Sequence, residues 1–119
     1  MAPAPIELRL QASQAIENVC VVGNGLAQPI ALITLNENAK GAIPATVARD
    51  LDITLDYVNK NLDTHERIAH IIILPEAWTV ENGILTPSLK VKRNEVEKRF
   101  ETVIAGAEAN KGKVVFQNR

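Results

Sequence analysis

The sequence predicts an α+β domain in which a small β-sheet is flanked by helices. Short runs of β-branched and aliphatic residues alternate with segments whose apolar residues have helical spacing. The alternation lacks a regular parallel βαβ rhythm, and the chain shows no internal repeat. With 119 residues and a hydrophobic fraction of 46%, the chain is long enough to bury a modest core. We therefore expect one domain over residues 1–119.

The first residues are predicted to form a linker that runs into a short helix. Pro3 and Pro5 keep the chain extended, and Pro5 suits the first position of a helix because no N–H is needed there. Ile6 and Leu10 would then share one face of a helix over residues 6–13.

A β-hairpin is predicted next. Residues 16–22 and 29–35 are mostly apolar runs, and the turn-prone residues Gly23, Asn24 and Gly25 lie between them. Because both runs are apolar almost throughout, we expect the hairpin to lie within a sheet that is covered on both faces.

A helix is predicted after the hairpin. Residues 36–41 are expected to form a loop, and Pro44 then opens a helical region. Its apolar residues have the i, i+3 and i+7 spacing of one helix face: Leu55, Val58 and Leu62. We expect this helix to cover the sheet.

The clearest strand is the aliphatic run of residues 69–74, which Pro75 ends because proline cannot donate to a ladder. A long loop follows, as far as about Arg93. Asn94 is then predicted to cap an amphipathic helix, and residues 114–116 are predicted to form a last short strand. The apolar stripe of that helix consists of Val96, Phe100, Val103 and Ile104.

Charge and cysteine content argue against several classes of function. The 13 basic and 14 acidic residues are interspersed and give a net charge of −1, so the chain offers no basic surface for nucleic acid or an anionic membrane. Cys20 is the single cysteine, so an internal disulfide is impossible, and its apolar neighbours indicate a buried, inert thiol. We expect a soluble, cytoplasmic protein, since neither a signal peptide nor a membrane-spanning run is present.

Metal binding is not expected. His65 lies near the end of the predicted helix and His70 lies on an apolar strand, and neither has further ligands at the spacing of a metal site.

The loop before the last helix is the candidate functional site. Loops of this length in a compact domain are generally functional or disordered, and this one holds Trp78 and the basic residues Lys90, Lys92 and Arg93. On composition alone, such basic residues are typical of a solvated surface patch. Trp78 is expected to belong to the core, as a large aromatic residue in a small domain usually does.

Residues 78–93 have the sequence Trp-Thr-Val-Glu-Asn-Gly-Ile-Leu-Thr-Pro-Ser-Leu-Lys-Val-Lys-Arg. This sequence closely resembles the closing motif of long-chain acyl-CoA synthetases, a branch of the adenylate-forming superfamily. Elsewhere in the superfamily the motif has Ser-Gly-Lys, whereas Ser88-Leu89-Lys90 has leucine for glycine, as the long-chain branch does. Residues 2–7 also resemble the end of the family's hinge motif, and residues 16–23 resemble the strand after it.

The resemblance implies the small C-terminal domain of an AMP-forming long-chain fatty acid–CoA ligase, whose large N-terminal domain lies upstream. Such an enzyme activates a fatty acid with ATP to an acyl-adenylate and transfers the acyl group to CoA. The resemblance makes Lys90 the adenylation lysine, with Lys92 and Arg93 as further candidates for substrate contact. ATP, CoA and Mg²⁺ would be bound mainly by the large domain, so this domain is expected to be inactive alone. The full-length enzyme could associate peripherally with a membrane.

Two other functions fit the same residues. The chain could be a stand-alone binding or regulatory module that keeps the fold without chemistry, although the partial hinge motif argues against this. It could also belong to an adenylating enzyme that passes the acyl group to a carrier-protein thiol or to a reductase domain, because the same lysine serves adenylation there.

Overall fold

A computed structural model describes residues 3–23, 26–109 and 112–117. Within them the chain forms a four-stranded sheet covered by helices. The strands are β1 (Ile16–Val22), β2 (Ile30–Leu35), β3 (Ile71–Ile73) and β4 (Val114–Phe116). The helices are α1 (Pro3–Leu10), α2 (Glu37–Lys40), α3 (Pro44–Lys60), α4 (Arg93–Arg99) and α5 (Glu101–Ala105), with 3₁₀ turns at Thr64–Glu66 and Ala107–Ala109. Among the described residues, no helix is both long enough and apolar enough to cross a membrane.

The sheet is mixed, with the strands in the order β1-β2-β3-β4. β1 and β2 form the predicted antiparallel pair, in which Val21 lies opposite Ala31. Asn24 and Gly25 of the predicted turn lie outside the described residues. β3 is parallel to β2, and β4 is parallel to β3. Helix α3 therefore lies in the crossover between β2 and β3, and α4 and α5 lie in the crossover between β3 and β4. The sequence pattern did not indicate these two parallel connections, because the second contains a long irregular segment and the two together give no regular rhythm.

Both faces of the sheet are buried, as the apolar runs predicted. Successive side chains of a strand point to opposite faces. Along β2, Ala31 and Ile33 belong to the first core, whereas Ile30 and Leu32 belong to the second. The first core is completed by residues of α1 and α3: Ile6, Leu10, Val47, Leu51, Leu55 and Val58. The second is completed by residues that follow β3: Trp78, Ile84, Leu85, Val96 and Ala107.

Helix α1 begins at Pro3 rather than at Pro5, and it ends at Leu10 rather than near Ser13. Both prolines fit within the first turn because the N–H groups there have no partner inside the helix. The linker predicted before Pro5 is thus already helical from Pro3. Ile6 and Leu10 are buried on the face that the sequence predicted.

Residues 36–41 contain the short helix α2 rather than the predicted loop. Asn36 caps it, since the Asn36 side-chain oxygen accepts a hydrogen bond from the Ala39 N–H at 2.9 Å. A helix of one turn is too short to give a periodic pattern, which is why the sequence did not predict it.

Helix α3 covers the first core as predicted. Pro44 is its first residue, and Leu55 and Val58 are fully buried. Leu62 lies beyond the end of the helix at Lys60 and is partly buried against the same core.

Helix α4 begins at Arg93, with Lys92 as the capping residue, so the prediction of Asn94 as N-cap was wrong. The helix begins before the predicted position because the Lys92 carbonyl already accepts an i+4 hydrogen bond, from the Val96 N–H at 3.1 Å. The amphipathic stripe is interrupted at Phe100, where α4 gives way to α5, but backbone hydrogen bonds continue through this point.

Strand β3 is shorter than the predicted residues 69–74, yet the main chain stays bonded to β2 at both of its ends. The Ala69 N–H donates to the Pro29 carbonyl at 2.9 Å, and the Leu74 N–H donates to the Ile33 carbonyl at 2.9 Å. The last strand, β4, has the predicted bounds.

We expect Leu51→Ala to lower the free energy of unfolding by about 2–5 kcal/mol, because Leu51 is fully buried under the sheet and the substitution leaves a cavity. Urea denaturation followed by circular dichroism measures this. Ile53→Ala in the same helix is the matched control, since Ile53 is 62% exposed, and its effect should stay below about 0.5 kcal/mol. Equal losses from the two substitutions would contradict the orientation of α3.

Candidate functional site

The segment between β3 and α4, residues 74–92, is part of the second core. Trp78, Ile84 and Leu85 are buried against the sheet. The predicted long loop is therefore fixed along most of its length by apolar burial, and it needs no regular secondary structure to hold its position.

The two arms of this segment are also joined by main-chain contacts. Leu85 and Val91 form an isolated antiparallel bridge, and the Lys92 N–H donates to the Ile84 carbonyl at 2.8 Å. Between the arms lie residues 86–90, which we call the lysine turn. These two contacts join the ends of the turn, and residues 87–90 within it are exposed.

The backbone of Lys90 is fixed on both sides of its side chain. Its carbonyl accepts from the Thr86 N–H at 2.8 Å, and its N–H donates to Thr86 Oγ1 at 3.1 Å. Thr86 also accepts at its carbonyl from the Leu89 N–H at 2.8 Å, and its Oγ1 lies 3.1 Å from Ser88 Oγ. The Lys90 side chain itself is exposed. The turn thus presents an exposed ammonium group on a hydrogen-bonded backbone.

Leu89 has a left-handed backbone conformation, with φ of 66°. Side chains are strained there, whereas glycine is not. The resemblance described above places glycine at this position of the motif elsewhere in the superfamily, and glycine adopts this conformation without strain. The Leu89 side chain is 68% exposed, so little packing among the described residues offsets the strain.

Lys92 is exposed like Lys90, and Val91 between them packs against the second core. Successive side chains of an extended segment alternate in direction, so the two lysines lie on the solvent side of this arm. Both ammonium groups are therefore accessible for the predicted contact with substrate.

Arg93 is engaged inside the domain. Its guanidinium donates to the two carboxylate oxygens of Glu7 on α1 at 2.7 and 3.2 Å, to the Val21 carbonyl at 2.8 Å and to Cys20 Sγ at 3.3 Å. The hydrogen bond to Glu7 raises the pKa of Arg93 above its usual value. Substrate contact by Arg93 stays a prediction, and the contacts that the structure gives it are internal.

Glu7 is a site residue that the sequence analysis missed. It lies 86 positions before Arg93, and no local pattern connects the two. Besides Arg93, its carboxylate accepts from the Val21 N–H at 2.7 Å. Only the fold brings these groups together.

Cys20 lies beside Arg93 in the second core and is fully buried, as predicted. Burial raises the pKa of its thiol from the usual 9.0 to about 12, although the positive charge of Arg93 acts in the opposite direction. The thiol therefore stays protonated at neutral pH, which makes it a poor nucleophile.

Trp78 lies in the second core, as predicted, with 3% of its surface exposed. Its ring stacks on Phe100 with a centroid distance of 6.3 Å and an interplanar angle of 27°. Among the described residues, its Nε1 has no hydrogen-bond partner. The ring anchors the first arm of the segment to the α4–α5 junction.

Asn82 organises the first arm, a role that the sequence analysis did not assign. Its side-chain oxygen accepts from the Thr79 N–H at 3.1 Å and from the Ile84 N–H at 3.2 Å, and its side-chain nitrogen donates to the Ala77 carbonyl at 3.0 Å. Asparagine commonly closes local turns in this way, which is the signal that could have identified it.

A cleft of about 640 Å³ opens beside the lysine turn. Its lining is partly apolar, from Trp78, Leu85 and Leu89, and partly polar, from Asn18 and Thr34 near the β1–β2 pair. The strained leucine of the lysine turn thus borders an open space as well as solvent.

One group of potential metal ligands occurs in the described part of the chain. Oxygen and nitrogen atoms of Asp63, His65 and Glu66 lie within 4.8 Å of one another. All three belong to a surface turn, where acidic groups commonly cluster without a metal, so no metal site is assigned. His70 instead pairs its Nδ1 with the Gly112 carbonyl at 2.7 Å.

Comparison with known proteins identifies the domain. A family model described as the AMP-binding enzyme C-terminal domain matches residues 1–111. The chain belongs to this family. Long-chain-fatty-acid–CoA ligase FadD15 of Mycobacterium tuberculosis is 32% identical to this C-terminal domain in an alignment 117 residues long, gaps included, and the match covers 84% of the domain and 20% of the ligase. Long-chain-fatty-acid–CoA ligase 5 of Mus musculus is 49% identical over 43 residues, which is 36% of the domain and 6% of the ligase.

A solved structure shares the fold. The A-PCP didomain of carboxylic acid reductase from Segniliparus rugosus, in complex with AMP, superposes with a TM-score of 0.76 at 23% sequence identity, covering 92% of this chain and 16% of that chain. This similarity confirms the predicted fold, that of the C-terminal small domain of adenylate-forming enzymes. The domain spans a fifth or less of the length of each of these proteins.

Gly83 and Leu89 both have a positive φ. Adding a side chain at Gly83 and removing one at Leu89 should change the backbone strain in opposite directions. Gly83 has φ of 86°, and an added Cβ would meet Arg99 Nη2 only at an ordinary 3.8 Å. Gly83→Ala should therefore lower the free energy of unfolding by about 1 kcal/mol through backbone strain alone. Leu89→Gly should raise it by about 0.5–1 kcal/mol, because the relief of strain exceeds the added freedom of the unfolded chain. Urea denaturation measures both, and a loss from Leu89→Gly would mean that the leucine side chain stabilises the isolated domain.

Cys20 should make the domain less stable as pH rises above about 9. The unfolded chain loses the thiol proton near 9.0, whereas the folded chain keeps it to about 12, so folding becomes harder between these values. The contribution is fully present below pH 9 and is lost as pH rises toward 12. Urea denaturation at pH 8, 9 and 10 should show a steeper decline for the natural chain than for Cys20→Ala. Parallel declines would contradict the raised pKa.

Proposed function

We propose that this domain is part of an AMP-forming long-chain fatty acid–CoA ligase and supplies Lys90 to the adenylation half-reaction. The observation that carries the proposal is the lysine turn, which fixes the Lys90 backbone by hydrogen bonds while leaving its ammonium group exposed. The similarity to FadD15 over most of the domain supports the choice of acid and acceptor.

In the proposed reaction the fatty acid carboxylate attacks the α-phosphate of ATP, the bond to the β-phosphate breaks, and pyrophosphate leaves with the acyl-adenylate as product. Two anions must approach each other. Lys90 would bridge the carboxylate and α-phosphate oxygens, and one positive charge attracts a unit negative charge at 4 Å by about 4 kcal/mol at an effective dielectric constant near 20. It would thereby lower the barrier by opposing the repulsion.

The structure of the lysine turn suits this role. A fixed backbone limits the search of the ammonium group to its own side-chain torsions, which preserves orientation when the turn enters a closed site. Lysine is a compact point charge that contacts several oxygens in changing geometry. Residues 87–90 of the turn are exposed, so the turn is accessible for such entry.

The described part of the lysine turn does not fit Mg²⁺. Its polar side chains are hydroxyl and ammonium groups, from Thr86, Ser88 and Lys90, whereas Mg²⁺ is held in proteins by carboxylates together with substrate phosphates. The proposed ligase would bind Mg²⁺, ATP and CoA mainly through a large N-terminal domain. The C-terminal domain described here would reorient between adenylation and thioester formation.

Transfer of the acyl group to a carrier-protein thiol is a second candidate. The fold similarity to the adenylation–carrier didomain of a carboxylic acid reductase favours it. Adenylation would proceed identically, so Lys90 keeps its role and only the acceptor thiol differs. Incubating the full-length enzyme, ATP and a fatty acid with CoA or with a carrier protein distinguishes the two.

We expect Lys90→Ala in the full-length enzyme to slow acyl-adenylate formation about 10²–10³-fold, by analogy with the removal of one preorganised donor. Thioester formation from a preformed acyl-adenylate should change much less. Pyrophosphate release measures the first step, and CoA thioester formation measures the second.

Lys92→Ala is the matched control, because Lys92 is exposed on the same arm, and it should retain most of the adenylation rate. Equal losses in both half-reactions for Lys90→Ala would contradict its assigned role. A larger loss for Lys92→Ala would transfer that role to Lys92.

A further inference from the structure

Glu7, Val21 and Arg93 form a set of contacts that we call the edge clamp. Glu7 accepts from the Val21 N–H at 2.7 Å, and Arg93 donates to the Val21 carbonyl at 2.8 Å. The two side chains also pair with each other, at 2.7 Å and 3.2 Å. The clamp is partly buried, with 17% of the Glu7 side chain and 36% of the Arg93 side chain exposed.

The clamp covers a point where the sheet would otherwise be open. β1 is an edge strand, and Val21 lies opposite Ala31, whose own N–H donates to the His70 carbonyl toward β3. The N–H and carbonyl of Val21 therefore point away from β2, toward the free edge. A carboxylate meets the donor and a guanidinium meets the acceptor, and both contacts are charge-assisted hydrogen bonds.

The clamp also joins two distant parts of the chain. Glu7 lies on α1, the first helix of the domain, and Arg93 is the first residue of α4. Arg93 follows Lys90 by three positions, and the intervening Val91 and Lys92 are held by the bridge to Leu85 and the bond to the Ile84 carbonyl. A rigid path thus runs from α1 through the clamp to the lysine turn.

We infer that Glu7 and Arg93 are positioning residues for adenylation, which lock α1 to the segment that carries Lys90. This inference rests on the proposed function. In a longer enzyme, a domain that precedes this one is connected through α1, so a rotation about that connection reaches Lys90 as a rigid-body movement only while the clamp is closed. Small misplacements of a catalytic group cost large factors in rate.

The kinetic test uses the full-length enzyme with Glu7→Gln and Arg93→Gln. Each should lower kcat for acyl-adenylate formation by about tenfold or more, leave KM for ATP within about threefold, and change thioester formation from a preformed acyl-adenylate little. Arg93→Lys, which keeps the charge but loses the forked geometry, should fall between Arg93→Gln and the natural enzyme. Arg99→Gln is the control, because Arg99 pairs with Glu95 at 3.6 Å on the same helix but lies outside the clamp.

A non-additive effect of combined substitutions would distinguish a positioning role of the clamp from a general loss of structure. In a Lys90→Ala background, Glu7→Gln should cause little further loss of adenylation, because the clamp acts through Lys90. Losses that multiply, or a fall in both half-reactions by the same factor, would overturn the inference.

Amide hydrogen exchange on the 119-residue chain tests the clamp without relying on catalysis. Glu7→Gln should accelerate exchange of the Lys90 N–H about tenfold or more, whereas Arg99→Gln should not. Unchanged exchange at Lys90 would overturn the inference even if the enzyme lost activity. If Lys90→Ala leaves adenylation intact, the proposed function fails, and the exchange at Lys90 then decides alone whether the clamp holds the lysine turn.

Discussion

Burial of β2 and β3 on both faces is the constraint on which the rest of the structure depends. Each strand presents apolar side chains in both directions, so one layer of helices cannot complete the domain. α1 and α3 cover the first face. The second face is covered by α4 and by the segment after β3, which contributes Trp78, Ile84 and Leu85. The segment that carries Lys90 is therefore held in place by the same apolar burial that stabilises the sheet.

In this arrangement the backbone of the segment is fixed, whereas the Lys90 side chain is exposed. The arms of the segment are fixed by burial and by Asn82, and the backbone of the lysine turn is fixed by Thr86. The side chains of Lys90 and Leu89 lie outside the core and are exposed. A domain that has to deliver one charged group to a site formed elsewhere benefits from this division, because orientation is set within the domain before the site closes.

Much of this fold could be predicted from sequence, because strands buried on both faces leave long apolar runs and α3 leaves a periodic stripe. Local main-chain detail was harder: α2 is too short to give a period, and α4 begins at Arg93 because Lys92 already starts the helical ladder. Composition alone would have made Lys90 part of a solvated patch, and its selection required the motif around it. The partnership of Glu7 and Arg93 could not be predicted, since nothing local marks two charged residues that meet only after the sheet has formed.

The edge clamp has a consequence for the order in which the domain is made. Val21 and Arg93 are 72 residues apart, so at about 5–20 residues per second roughly 4–14 s pass on the ribosome between them. If β1 forms during that interval, Glu7 is available to the Val21 N–H, whereas the Val21 carbonyl still lacks its contact with Arg93. Such an edge is a template for pairing with another chain. Until Arg93 has been synthesised, the edge of β1 at Val21 therefore lacks one of the two side chains that cover it in the folded domain.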